Sequence, residues 1–343
     1  MKPEEIQPIV NLIKEEILNK IHEVDLMSEN ERRRFFIIIE QTLDEFGLEV
    51  SEMLSEEVSE TYAEELIIAQ RLTKSLGIEY KDSLSTLVHT EALENMLMDS
   101  MLDMQSAIRT AKMTSINAID TALDQVRNDI ASGIMLGSSR DKIVKRVVDS
   151  FDRNGLKAFY TIDGKVLPLD FYSETITRTK ISKARSTAHA NHYSEANNEH
   201  FKVIGNYDTC SECASYRDII FTMTGEDDRF TYLDPREALP FHPNCKCVIT
   251  PVVLKTLSAS EIEREATKSK QFDPSIDKRT KKQREAYEND QKAKLKARNE
   301  LKQYQRMVAI LGEDAPKTLG AFRRMKRANT KGYREAIRKM RSN

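Results

Sequence analysis

All four cysteines of this 343-residue chain fall in one 38-residue window. Cys210 and Cys213 form a C-x2-C pair, and Cys245 and Cys247 form a C-x-C pair after a gap of 31 residues. His242 stands three residues before Cys245, in His242-Pro243-Asn244-Cys245-Lys246-Cys247. Two thiolates at C-x2-C spacing can face one tetrahedral ion, and a second pair closes a structural zinc site. The expected shell is Cys210, Cys213, Cys245 and Cys247, or three thiolates with His242 in place of Cys245. The residues around it, 201–254, are short strand-like runs broken by Gly, Asp and Pro, a zinc-ribbon-like element without a large core of its own. Zinc supplies about 10–16 kcal/mol in isolated finger peptides, enough to fix such a segment. Two disulfides in an oxidising compartment, or four buried thiols, are the other readings of the same residues. The second gives no reason for all four to share one window. Catalytic zinc needs an open position and a positioned base. Glu212 and Asp208 lie close in sequence, but neither H-x-E nor H-E-x-x-H stands in the cysteine window, so the expected role is structural.

The rest of the chain reads as helix. Ile6, Ile9, Val10, Ile13, Ile17, Ile21 and Val24 keep the three-four spacing of one helical face. Ser28 with Glu31 predicts a capping box and a second helix through Phe35, Ile39, Leu43 and Phe46, with Gly47 as its stop. Met53 to Ala69 predicts a third helix ending near Gly77, and a long pattern runs from about Ser83 towards Ile130. Met96, Met98, Met101 and Met104 on it are expected to fill a flexible core face. Gly133 and Gly137 suggest a tight turn, and Ser138-Ser139 an N-cap for a helix over 141–151. Asp163-Gly164 between Tyr160-Thr161-Ile162 and Val166-Leu167 predicts a type I′ hairpin, with Pro168 limiting the second strand to a short edge. Helix returns over 173–197 and again from Ser258, where Asp277/Lys281, Glu288/Lys292 and Asp290/Lys294 have favourable i,i+4 order. An apolar stripe of Leu301, Tyr304, Val308 and Leu311 is broken by Gly312 and Pro316 and resumes at Leu319, Phe322, Met325, Tyr333 and Ile337. The fold class is therefore α+β and mostly α-helical.

Charge divides this chain in three. Residues 1–105 carry a net −15, residues 256–343 a net +12, and the middle is close to neutral, against a whole-chain charge of −2. An acidic helical region 1–105, a core 106–255 and a basic helical tail 256–343 are the expected domains, within the two or three that this length allows. The longest aliphatic or aromatic run, Phe35 to Ile39, is far below the roughly 20 residues of a membrane span. The first residues, MKPEEIQPIV, place acids where a signal peptide has Lys or Arg, so a soluble intracellular product with no membrane partner is expected.

Other chemistry is sparse. The P-loop, dinucleotide and nucleophile-elbow motifs are absent. His189, His192 and His200 fall around a helix end; a weak metal pair is conceivable there, but surface or capping roles are expected.

Three features resemble, in order, the phage minor capsid family, the head morphogenesis group that includes the F-like protein of phage Mu. They are the run from Tyr160-Thr161-Ile162-Asp163-Gly164 through Pro168-Leu169-Asp170-Phe171-Tyr172; Arg178-Thr179 followed by the small-residue helix over 184–191 and Tyr193; and Asp208-Thr209-Cys210-Ser211-Glu212-Cys213 leading to His242-Pro243-Asn244-Cys245-Lys246-Cys247. The match is good over about 160–255 and loose over 106–160; no motif ties the acidic first hundred residues or the basic tail to it. Lys180 stands where the family often has an acid, and Lys246 where Arg is common, which keeps the charge but loses the bidentate fork. The resemblance implies a non-enzymatic virion component of a tailed phage, made in the host cytoplasm. It would be present in few copies, associate with the portal protein and other head proteins or the head interior, and act in head assembly or DNA packaging and ejection. The acidic helices would suit basic portal or scaffold surfaces, and the basic tail the phosphates of packaged double-stranded DNA. The competing reading is a zinc-binding nuclease, since HNH-type enzymes also place Cys pairs around a structural zinc; here His242-Pro243-Asn244 lies inside the candidate ribbon instead of preceding a ββα pattern. A C-terminal toxin or transferase domain, carried by some Mu F-like proteins, would need more strands than the tail offers.

Overall fold

The computed structural model describes residues 3–79, 87–131, 140–205, 210–311 and 315–342. Its contacts define two compact units, Met1–Gly205 with Tyr216–Asp273, and Asn206–Ser215 with Pro274–Asn343. As the sequence implies, the chain is mostly helix with a small β region. Among the described residues, no helix is long and apolar enough to cross a membrane.

In the first unit, α1 (Pro3–Glu23) buries Ile6, Val10, Ile13, Ile17 and Ile21, with Ile9 and Val24 packed at the margin. Helix α2 (Glu29–Ser75) begins where expected, but by a different contact. Ser28 makes no side-chain cap bond; the Glu31 carboxylate instead accepts the Asp25 N–H at 2.8 Å, fixing the incoming turn. Gly47 does not stop the helix. It lies buried in the middle of α2, where an added Cβ would come 2.7 Å from Ile108 Cγ1 on α3 (Leu87–Ala131), so glycine is there for close helix approach. The third helix expected from Met53 is the second half of α2. That helix ends in a Schellman motif: Gly77, at φ +71°, donates to Lys74 O, and Ile78 N–H donates to Thr73 O.

Along α2 a buried stripe from Phe35 to Thr73, flanked by the buried Gly47, Ser51 and Thr61, advances by 4-4-3-4-4-4-4-4-3-4, ten steps over 38 residues. A step of about 3.8 residues exceeds the helical 3.6, so the buried stripe drifts and a partner must wind right-handedly to follow it. On α3 the stripe through Met96, Ser100, Met104, Ile108, Ala111, Ser115, Ile119, Ala122 and Val126 drifts the same way. Only Met96 and Met104 of the four methionines lie in the core; Met98 and Met101 face outward. The expected helix start at Ser83, and Gly133, Gly137, Ser138 and Ser139, lie outside the described residues.

Helix α4 (Arg140–Asn154) leads to an antiparallel hairpin of β1 (Lys157–Tyr160) and β2 (Val166–Pro168). Its loop is longer than the expected two-residue type I′ turn. Thr161 and Lys165 close it, Gly164 N–H donates back to Thr161 O, and Gly164 alone takes positive φ, +80°. Helix α5 (Leu169–Glu195) follows directly from Pro168, four residues before the expected start. A four-stranded sheet then has the order β5-β4-β3-β6. It comprises β3 (His200–Ile204), β4 (Ile220–Thr222), β5 (Thr231–Tyr232) and β6 (Val248–Pro251), antiparallel except for the β4–β5 pair. Short helices α6 (Ser211–Tyr216) and α7 (Pro235–Ala238) lie in its connections, and α8 (Ala259–Lys270) starts at a full Ser258/Glu261 capping box.

Helix α5 is buried on every side from Ser186 to Tyr193. Several of its polar side chains are bonded to α2 and α3, while Ser186 donates to Ser182 O within α5 and the Thr187 hydroxyl is buried without a partner among the described residues. His189 Nε2 lies 3.0 Å from Glu65 Oε2, and its Nδ1 3.1 Å from the Tyr193 hydroxyl. His192 Nε2 lies 2.8 Å from Thr73 Oγ1. Asn191 donates to the Tyr62 hydroxyl, which also meets His89 Nδ1 at 2.7 Å, while His89 Nε2 pairs with Glu195 at 2.9 Å. The surface or capping roles expected of His189, His192 and His200 are therefore corrected: all three are buried, His200 beside Asp227 at 2.9 Å. Burial pushes the Tyr62 hydroxyl up to about 12. Burial also pushes Glu65 upward, but hydrogen bonds from His189 and Arg185 and their charges outweigh it and hold the carboxyl below its ordinary value.

In the second unit, α9 (Lys281–Leu311), α10 (Leu319–Arg327) and α11 (Lys331–Ser342) share a small core. Met307, Phe322 and Ala336 are buried, with Tyr304, Leu319, Tyr333 and Ile337 against them. Val308 is exposed, and Gly312 lies outside the described residues. Of the expected ion pairs, Asp290–Lys294 forms at 2.5 Å, whereas Asp277 precedes the helix and pairs with Arg279 at 2.9 Å.

Gly47→Ala should cost about 1–3 kcal/mol of stability in urea titrations, because the clash with Ile108 exceeds the roughly 1 kcal/mol helix-propensity gain. In the Gly47→Ala/Ile108→Ala chain the loss should be smaller than the sum of the single changes. Glu65→Gln should cost about 2 kcal/mol at pH 7. Because the folded-state value of Glu65 is lowered from 4.5, its stabilisation is complete above that pH and is lost as pH falls through the folded value. Acid titration of stability should therefore be shallower in Glu65→Gln below about pH 4.5.

Candidate metal centre

Two local structures present the cysteines. The first is the His242-Pro243-Asn244-Cys245 turn. Cys245 N–H donates to His242 O at 3.0 Å, Pro243 occupies the second position, and Asn244 takes the left-handed conformation at φ +64°. Those are the features of a type II turn, where proline presets the second residue and the third needs positive φ. The turn delivers Cys245 and Cys247 to the start of β6. Both are buried, the Ser182 hydroxyl of α5 donates to Cys245 O at 3.1 Å, and a Cβ at Gly205 would lie 3.5 Å from Cys247 Sγ. The second is the start of α6, where Cys213 N–H points at Cys210 Sγ, 3.4 Å away. Cys213 is buried and Cys210 half-buried.

His242, Cys245 and Cys247 belong to the first unit, and Cys210 and Cys213 to the second. These cysteines and the histidine could hold a metal ion, and soft sulfur and imidazole ligands suit zinc more than the oxygen-seeking calcium or magnesium. His242 Nδ1 lies 2.8 Å from Pro243 O, and a carbonyl only accepts, so Nδ1 is the donor in that bond. Both shells expected from the sequence remain open. Asp208 and Thr209 lie outside the described residues.

A family model for phage minor capsid protein 2 matches residues 19–309. The chain belongs to that family. The match is wider than the 106–255 legible from motifs: it takes in most of the acidic region and the first part of the basic tail, so those stretches belong to the same inherited unit as the cysteines. No curated protein and no solved structure matches the chain. In this minor capsid protein the type II turn and the α6 start are the signals that sequence spacing lacks: H-P-N-C already contains the proline and asparagine that such a turn needs.

Purified protein should carry about one zinc by elemental mass spectrometry. Cys213→Ser should lose most of it, since both expected shells need that sulfur. Comparing His242→Ala with Cys245→Ser should then show which residue completes the shell, by which variant loses metal. A metal-free parent chain whose stability ignores chelators would overturn the site.

Proposed function

We propose that this minor capsid protein is a structural part of a tailed-phage head, seated at the portal vertex or the head interior, and acting in head assembly, DNA packaging or ejection. Family membership over residues 19–309 carries this reading. The long α2–α3 pair gives a stiff shaft, and the net −15 of residues 1–105 suits docking on basic portal or scaffold surfaces. The basic tail suits packaged DNA. A structural zinc held by Cys210, Cys213, Cys247 and either Cys245 or His242 would supply four strong bonds to a region whose strands are only two to five residues long.

The competing reading is a nuclease. Against it, His242-Pro243-Asn244 forms a tight turn feeding one strand, and its histidine Nδ1 is bound to a backbone carbonyl. Proteomics of DNA-filled heads from the parent virion should find the protein at low copy number. Plasmid incubated with the protein and Mg²⁺ or Mn²⁺ should stay supercoiled. Cleavage abolished by His242→Ala, or absence from purified heads, would reject the proposal.

A further inference from the structure

The last two helices lie beyond residue 309, where the family match ends. From residue 315 to 343 ten Lys/Arg stand against one acid, Glu335. Three residues, Ala328-Asn329-Thr330, join α10 to α11, with Asn329 in the left-handed region at φ +44°. This is a helix–turn–helix connection. The turn is held from both sides: Thr330 N–H donates to Met325 O at 3.1 Å, and Arg334 Nη1 donates to Asn329 O at 2.7 Å.

Phe322 and Ala336, with Tyr333 and Ile337, turn one side of the pair into the core shared with α9. The opposite side is then fixed by helical spacing. On α11 it carries Lys331, Arg334 and Arg338, three and four residues apart, all exposed. On α10 Arg324 and Arg327 are exposed near the turn. On α10, Arg323 pairs with Glu300 at 3.1 Å and Lys326 donates to Gln303 at 2.7 Å. Glu335 approaches Lys331 only at 3.9 Å.

The kind of partner follows from what accompanies the charge. Among the described residues, none of the exposed large apolar side chains lies on α10 or α11. A protein interface needs an apolar centre and is depleted in lysine, whereas a nucleic-acid backbone is met by Lys and Arg through polar, hydrated contacts. We infer that the outward face of the α10–turn–α11 pair docks on the sugar–phosphate backbone of duplex DNA, with Lys331, Arg334 and Arg338 on phosphates and Arg324 and Arg327 alongside. This deepens the DNA contact proposed above and rests on it. Recognition is by charge and shape, without base reading.

Binding of the full chain to a mixed-sequence 30-base-pair duplex, measured against salt concentration, tests the inference. Each phosphate neutralised contributes about −0.9 to the slope of log affinity against log salt. Lys331→Gln/Arg334→Gln/Arg338→Gln should therefore reduce the slope by about two to three and weaken binding by at least about thirty-fold at 0.1 M salt, with an unchanged circular dichroism spectrum. Lys292→Gln/Lys294→Gln/Lys296→Gln removes the same charge from α9 and should change the slope by less than about one. Equal losses in the two variants would mean a diffuse polycation and overturn the assignment. Polyglutamate competing as well as DNA would point to an acidic protein partner and overturn it too. Absence of DNA binding would end the inference while leaving the head role to stand or fall on virion proteomics.

Discussion

Helix α5 cannot reach water from Ser186 to Tyr193, so the polar side chains it carries there depend on partners inside the protein, and of these the Thr187 hydroxyl is buried without one among the described residues. The Glu65–His189–Tyr193 chain and the Asn191–Tyr62–His89–Glu195 chain supply such partners, and each ties α5 to α2 or α3 at one register. A one-residue slip would rotate these groups by about 100° and strand them in a low-dielectric interior. The same helix runs into β3 and holds the backbone of Cys245 through Ser182. Placement of the cysteine turn thus depends on hydrogen bonds made two to three helical turns further along α5.

Much of this was legible in the sequence, for identifiable reasons. The α1 stripe, the start of α2 and the end at Gly77 are local patterns, and they stand where spacing puts them. Gly47 misled because glycine reads the same whether it ends a helix or lets another approach; only Ile108, 61 positions away, tells the two apart. The histidines misled for a related reason. His189 and His192 look like polar residues at a helix end until Glu65 and Thr73 are brought against them. The hairpin loop depended on whether Asp163 or only Gly164 takes positive φ, a choice that the Asp-Gly pair leaves open. Cysteine spacing, by contrast, is local: the turn that presents Cys245 is written in H-P-N-C, and the helix start that presents Cys213 in C-x2-C.

The candidate site and the helical frame divide the work. Helices α1 to α5 are held by an apolar core with a bonded polar seam, which needs no metal. The sheet has strands of only two to five residues and an aromatic cluster in which Phe221 meets Phe201, Tyr216 and Phe272, and a metal bound there would add bonds that the helices cannot supply. Such a division fits a component whose role is to hold position in an assembly, since a rigid insert is useful without any reacting group.

The drift of the buried stripe along α2 and α3 carries an evolutionary consequence. Adding or removing one residue in either helix would swing all that follows by about 100° and expose the core face. Inserting roughly eleven residues, the 4-4-3 unit that opens the α2 pattern, preserves the phase. Relatives of different length should therefore differ in this shaft by whole multiples of about three turns, as a screw can be lengthened only by complete threads.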